Sequence, residues 1–287
     1  MTDTNNECIY EIKENENGMG LYALKRIQRG ELILAEKPIL KLRQNVPQHQ
    51  LKIYVEDEVS KLSDEEKSKI FELFDYNSPK TAIGIFSTNG YMLGKKSDYC
   101  GLFYLISRIN HSCRPNVCHH WCENEGVQKI FALREIEIGQ EILTSYIDLY
   151  QDTESRKRQL KKLFNFTCNC ELCSIEDEDL IEKSDERRRL LNELESFRPK
   201  MGLRSPELFL SKKKQLLKFL KEEGIDYDAF YVNKCAYDVF AFLFKTNANR
   251  ESLKYWANLV YENSLICQGE VKASLKKEIL VLCGKDS

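Results

Sequence analysis

The chain has 287 residues, a formal net charge of −2 and 31% charged residues. That is room for one large domain or a body with a smaller partner, and no overall charge points to a nucleic acid or a membrane surface as the main partner. The first twenty residues are polar and acidic and no apolar run reaches about 18 residues, so neither a secretory signal nor a membrane-spanning helix is expected and the chain reads as soluble and intracellular.

Ile9 to Leu42 alternates apolar and polar positions around glycine turns at Gly18 and Gly20 and at Arg29-Gly30, which predicts short strands. Asn45 to Phe74 carries Val55, Val59, Leu62, Ile70, Phe71 and Phe74 among charges, a helical spacing. IGIFSTNGYML, Ile83 to Leu93, reads as strand or loop, and the apolar run Leu102 to Ile109 leads into RINHSCRPNV, Arg108 to Val117. Lys129 to Leu133 and Glu141 to Tyr146 read as strands flanking a turn at Gly139. TESRKRQLKKLF predicts a basic helix from Thr153 to Phe164 with Thr153 as its N-cap.

After Ser174 the text becomes charged and helical, over Asp185 to Phe197, Pro206 to Glu223, Asp228 to Phe244, Arg250 to Cys267 and a last turn to Cys283. A domain boundary is expected near 175–184, in the acidic run EDEDLIEKSDE. Within this region Asp228 to Gly269 reads as two helices joined by a polar turn, with Ala236, Ala241, Tyr255 and Ala257 at packing spacings. The pair resembles a tetratricopeptide-type hairpin, whose repeat is about 34 residues, and fits an ordinary helical bundle equally well.

The eleven cysteines, an odd number, speak against a complete disulfide framework and for burial or metal ligation. Cys168, Cys170 and Cys173 form C-x-C-x2-C, a spacing that brings three thiolates to one ion in a tight turn. Zinc takes four ligands, so one is missing locally, and the upstream candidates are Cys113, Cys118, Cys122, His111, His119 and His120. The bland alternative is three buried, unligated thiols. Cys118 and Cys122 in CHHWC share one strand face with no further cysteine pair nearby, and read as ordinary strand residues.

Four ordered segments, GMGLYA (18–23), NHSC (110–113), EILTSY (141–146) and CNCELC (168–173), resemble the SET-domain protein lysine methyltransferases. RINHSCRPN, SYID and the F-x-C-x-C-x2-C form are most similar to the SET and MYND subfamily and its fungal-type SET-only relatives. The likeness runs from Ile9 to Ser174. It implies an α+β fold: a SET-domain β-clip of short strands with a knot-like active site, a zinc-binding post-SET tail and an α-helical C-terminal region. The implied SET domain spans 1–174, divided into N-terminal strands (8–43), a helical insert (44–85), core motifs (86–150) and a post-SET zinc segment (151–174); the helical region spans 175–287. The subfamily's second zinc module, with seven cysteines and a histidine, is not expected, because Leu42 to Phe86 contains no cysteine and only His49.

The resemblance further implies methyl transfer from S-adenosylmethionine to a lysine side chain of a protein substrate, a histone or another protein. Asn17, Gly18, Met19 and Gly20 match the turn that cups the methionine end of that cofactor, where bare glycine backbone admits a ligand closely. Asn110 and His111 match the adenosine-binding pair, with Arg108 and Ile109 adding main chain, and Asn89 and Tyr91 fall where the family places further cofactor and channel contacts. Phe164 and Phe166 match an aromatic lid, Cys113 matches the fourth zinc ligand, and Tyr146 matches the catalytic tyrosine, which also borders the cofactor. GMG is not the G-x-G-x-x-G of a strand-to-helix dinucleotide site. Two readings compete. One is a SET-derived interaction module without turnover that grips a partner through its helical tail. The other is a zinc protein that binds nucleic acid through KSDERRR and SKKK, a weak case because interleaved acids mark solvated helix faces. The expected location is the nucleus, the cytoplasm or both.

Overall fold

The computed structural model describes residues 8–15, 18–76, 78–94, 97–226, 228–246, 249–271 and 273–283. β1 (Tyr10–Asn15) and β2 (Gly18–Ala23) form an antiparallel hairpin, followed by β3 (Leu32–Glu36) and β4 (Leu40–Arg43). Three helices, α1 (Gln48–Ser60), α2 (Asp64–Glu72) and α3 (Ala82–Asn89), precede β5 (Tyr91–Met92) and β6 (Tyr99–Leu102). A 3-10 turn at Ile106–Arg108 leads into β7 (Asn110–His111). Next come β8 (Val117–Cys122), β9 (Val127–Ala132), β10 (Leu143–Thr144) and α4 (Thr153–Phe164). The C-terminal part is helical, with α5 (Glu178–Ser196), α6 (Pro199–Gly202), α7 (Pro206–Glu222), α8 (Ala229–Lys245), α9 (Arg250–Gln268) and α10 (Ala273–Cys283).

The strands build small sheets in place of one large one: β3-β9-β8, β4-β6-β5, the β1-β2 hairpin and a parallel two-residue pair of β7 with β10. Leu21, Ile33, Phe103, Ile106, Ile109, Val117 and Ile130 form a common core beneath them. The insert helices close a second core on Leu40, Leu42 and Leu102. A third core, the helical one, takes in Leu149 and Tyr150 from the strand-rich body, so the two parts share hydrophobic packing. Gly269 ends α9 with φ +72, and a Cβ there would stand 2.8 Å from Phe131 Cζ, so the helix end lies directly on β9.

Several elements differ from the sequence expectation. The helical stretch after Asn45 is two helices, because Ser63 caps the second. Its Oγ accepts from the Glu66 N–H at 3.3 Å and Glu66 Oε2 accepts from the Ser63 N–H at 2.9 Å, a reciprocal capping box. The strand or loop expected from Ile83 is helix α3, started by Thr81 Oγ1 accepting from the Gly84 N–H at 3.0 Å; only Tyr91–Met92 is strand. Asp152, one residue before Thr153, caps α4 by accepting from the Ser155 N–H at 2.8 Å. The acidic run at 175–184 contains the start of α5, seven residues earlier than expected, and α6 went unforeseen. The last turn to Cys283 is an 11-residue helix.

Candidate active site and thiol cluster

Residues 139–146 cross the molecule as a connected seam. Gly139 N–H donates to Ala23 O at 2.7 Å and Ile142 N–H to Leu21 O at 2.8 Å, along β2. The chain then pairs in parallel with β7, Leu143 opposite Asn110 and Thr144 opposite His111. Asn116 is fully buried and holds this crossing. Its backbone N–H donates to Leu143 O at 2.9 Å, its Oδ1 accepts from the Leu143 N–H at 2.7 Å, and its Nδ2 donates to Glu141 O at 2.8 Å. One side chain thus supplies the pairing that a neighbouring strand would give, as buried backbone groups require.

Glu36 fixes the other side of the seam. Its carboxylate accepts from the N–H groups of Tyr104 at 2.8 Å, Leu105 at 3.1 Å and Ile106 at 2.9 Å, the head of the 3-10 turn that ends at Ile109. Burial pushes the Glu36 carboxyl up, and the three amides oppose that shift. Ile109 O in turn accepts from the Tyr146 hydroxyl at 2.8 Å, and His111 Nδ1 accepts from the Tyr146 N–H at 3.0 Å. Tyr146 is therefore tied at its ring end and at its backbone to the segment 109–111.

The β1-β2 hairpin meets the same place. Asn110 Nδ2 donates to Glu141 Oε1 at 2.8 Å and reaches Met19 O at 3.4 Å. Asn15 Nδ2 donates to that Glu141 oxygen at 3.0 Å and to the Tyr22 hydroxyl at 2.7 Å. A Cβ on Gly20 would stand 2.5 Å from Glu141 Oε1 and 3.0 Å from Asn110 Nδ2, and Gly18 has φ +105. A side chain at the first would displace the Glu141 carboxylate and crowd Asn110, and the second has a backbone conformation that favours glycine. Around Tyr146 lie Phe164 (ring centroids 5.0 Å apart), His111 (5.3 Å) and Phe166 (6.4 Å).

Burial raises the Tyr146 phenol well above its ordinary range, with Tyr91 and Glu141 adding to the shift, so it stays a hydrogen-bond donor at neutral pH. Burial lowers His111 to about 4, and a neutral ring accepting at Nδ1 carries its proton on Nε2, 3.4 Å from Cys113 Sγ. His119, also lowered to about 4 by burial, stacks on Tyr91 at 4.9 Å and bonds Thr144 Oγ1 at 2.9 Å.

Behind this pocket the thiols of Cys113, Cys168, Cys170 and Cys173 lie within 4.8 Å of one another, Cys113 and Cys173 at 3.6 Å. Four sulfurs at about 2.3 Å from a tetrahedral zinc ion stand about 3.8 Å apart, so this cluster fits zinc. His111, two residues before Cys113, joins the thiol cluster to the pocket.

Not all expected residues meet there. Asn17 lies outside the described residues. Asn89 is buried and its Nδ2 donates to Phe74 O at 2.7 Å and Ile85 O at 2.8 Å, committing it to the join between α2 and α3. The Arg108 guanidinium points to Glu72 at 3.1 Å and lies over Tyr104, leaving only its main chain beside the site. Glu36, Asn116, Glu141 and Asn15 went unforeseen. Asn116 stands inside the RPN of the singled-out motif, the one available signal; an isolated polar residue in a strand, such as Glu36, looks like a solvent-facing position.

The description "SET domain" belongs to the family model that matches residues 18–147. Those residues are a SET domain. The chain is 33% identical to histone-lysine N-methyltransferase set5 of Schizosaccharomyces pombe over 202 residues, 69% of this chain and 60% of that protein. It is 33% identical to N-lysine methyltransferase SMYD2 of Mus musculus over 115 residues, 39% of this chain and 26% of that protein. The chain thus spans less than two thirds of the length of these relatives. The SET domain holds all of the crossing just described and ends one residue after Tyr146, while the thiols at 168–173 fold back onto it from beyond its end.

Proposed function

We propose that this chain transfers methyl groups from S-adenosylmethionine to lysine side-chain amines of a protein, a histone or another, with Tyr146 placing the amine. The arrangement that carries this reading is the tie of Tyr146 to Ile109 O and His111 Nδ1 beside the glycine strand and Asn110. SET methyltransferases use S-adenosylmethionine, which when bound supplies an electrophilic methyl group. Asn110, the backbone of Gly18 to Gly20 and the rings of Phe164 and Phe166 would hold it. The glycine main chain at Gly18 and Gly20, beside Asn110 and Glu141, suits a ligand that approaches backbone closely.

Displacement at a methyl group needs alignment and no covalent enzyme intermediate. Tyr146 remains a phenol, so it orients the amine and does not act as a base. The accepting lysine must lose its proton, and burial among Tyr146, Tyr91 and Phe164 favours the neutral amine. Ile109 O, one of the carbonyls on this wall, offers weak C–H contacts to a methyl group. Zinc, held by Cys113, Cys168, Cys170 and Cys173, would fasten the tail that carries Phe164 and Phe166 against the pocket.

The test is transfer of a labelled methyl group from S-adenosylmethionine to histones and to a whole-cell protein mixture, with the modified residue read by mass spectrometry. Tyr146→Phe should lower transfer on the order of a hundredfold, the scale of a misplaced reacting group. Transfer undiminished in that variant would overturn the role given to Tyr146, and label on residues other than lysine would overturn the substrate.

A further inference from the structure

Arg156 is a buried cation without a carboxylate. It lies on α4 with no exposed surface, and no acidic side chain pairs with it within 4.0 Å among the described residues. Nη1 donates to Gln151 O at 2.7 Å and Nη2 to Thr153 Oγ1 at 3.1 Å, both neutral acceptors. Its Nε is buried with no hydrogen-bond partner. The acids around the start of α4 are engaged elsewhere: Asp152 caps the helix at the Ser155 N–H, and Asp185 accepts from the Thr153 N–H and Oγ1, both at 2.7 Å. The neighbouring buried arginine, Arg188, differs in having a carboxylate, the fully buried Glu223 at 2.8 Å. An unpaired guanidinium in such a place costs several kcal/mol, so burial of this kind calls for an anion nearby.

That anion is the thiol cluster. Leu160, one turn further along α4, packs with Cys113, Cys168 and Cys173 in one hydrophobic cluster, so this face of the helix looks onto the sulfurs. Arg156, four residues before Leu160, stands on the same face of α4 with its buried Nε unpartnered. Four thiolates around a divalent ion leave two net negative charges in a buried place, an arrangement that demands compensation as much as the arginine does.

We propose that Arg156 is the counter-charge of a four-thiolate zinc centre: a positioning residue that touches no substrate and sets how tightly the metal is held. It rests on the zinc assignment given above. Because α4 also runs to Phe164, the same guanidinium ties the metal to the helix that delivers the aromatic wall of the pocket.

The experiment is zinc transfer from the purified full chain to a chelating dye, after metal content is measured by mass spectrometry and folding by circular dichroism. Arg156→Leu should release zinc about ten- to a hundredfold faster, the range seen when partners of metal ligands are removed, and Arg156→Lys, which keeps the charge, within about threefold of the native chain. Arg156→Gln serves in place of the leucine variant if the latter does not fold. The decisive arm is a double-variant cycle with Cys170→His, which replaces one thiolate by a neutral ligand and leaves a single net charge. The penalty of Arg156→Leu should then shrink severalfold. An equal penalty in both backgrounds, or native release from both neutral variants, would overturn the proposal. A chain that binds no zinc at all would overturn the metal assignment itself, while lysine methylation would stand or fall separately on the transfer assay.

Discussion

The strand-rich body and the C-terminal helices are held together by different physics. In the helical part, 11- to 19-residue helices α5, α7, α8, α9 and α10 satisfy their own backbones and bury Phe209, Leu216, Leu220, Val239 and Trp256, each such side chain contributing roughly 1.5–3 kcal/mol on burial. In the body, strands of two to six residues leave many backbone groups unpaired by any ladder, and single polar side chains complete the pairing: Asn116, Glu36 and His111. The lesson is that the helical core supplies stability alone, whereas polar groups of the body supply stability and site geometry together. Truncating a core leucine should weaken the fold and spare the pocket, whereas removing one of these polar groups should misplace the pocket directly.

The largest test of that separation is at the cysteines. Cys113→Ser should release zinc, lower the melting temperature by at least about 5 °C and weaken S-adenosylmethionine binding tenfold or more, because metal binding is also folding free energy. Cys235→Ser, buried in the helical core, should keep its zinc and its cofactor affinity; calorimetry and metal analysis on both variants make the comparison. Next, Asn116→Ala and Leu216→Ala should each cost about 2–4 kcal/mol in urea unfolding, the first by leaving the half-buried Leu143 N–H and Glu141 C=O unpaired and the second by opening a cavity. Of the two, only Asn116→Ala should lower the rate of the proposed methyl transfer in the folded chain, and an equal loss in both would erase the distinction.

Glu36→Gln sharpens the same contrast on a smaller scale. It keeps shape but removes the charge that three N–H groups share, and should cost about 1–3 kcal/mol while lowering turnover more than cofactor affinity, measured by kinetics beside calorimetry. The smallest effect is set by pH. His119 is lowered to about 4 by burial, against about 6.5 in an unfolded chain. Its contribution is complete above 6.5 and is lost as pH falls toward 4, about 2 kcal/mol at pH 5. Urea midpoints between pH 7 and 5 should therefore fall less steeply in His119→Gln than in the native chain.

Much of this division was legible in the sequence. Periodicity located α7, α8 and α9 within a residue of their ends but started α5 seven residues late, and the C-x-C-x2-C spacing identified three sulfurs that do converge. Asn110, His111, Phe164, Phe166 and Tyr146 came from a resemblance across four motifs and do lie together. What escaped was whatever depends on a distant partner. IGIFSTNG has the small and β-branched residues of a strand, yet Thr81 caps it into a helix and Asp75 accepts from the Thr81 N–H at 3.0 Å. Asn89 was matched to the family's cofactor contacts, and in the folded chain its Nδ2 donates to Phe74 O and Ile85 O. Glu36 and Asn116 bond to residues about 70 and 25 positions away, and no local pattern encodes such reach.

The seam where 139–146 passes between β2 and β7 also means that neither half of the pocket is a unit on its own. Residues up to Val117 contribute the glycine strand, Asn110 and Ile109 O; residues after Val127 contribute Glu141 and Tyr146. The turn between them, Glu123 to Gly126, is exposed or half-buried and closes by a bond from the Gly126 N–H to Cys122 O at 2.9 Å. A chain cut at that turn would yield two polypeptides, each inert alone, whose reassembly is reported by the return of methyl transfer. The site is in that sense a lock made by two keys, complete only when both parts of the chain have come together.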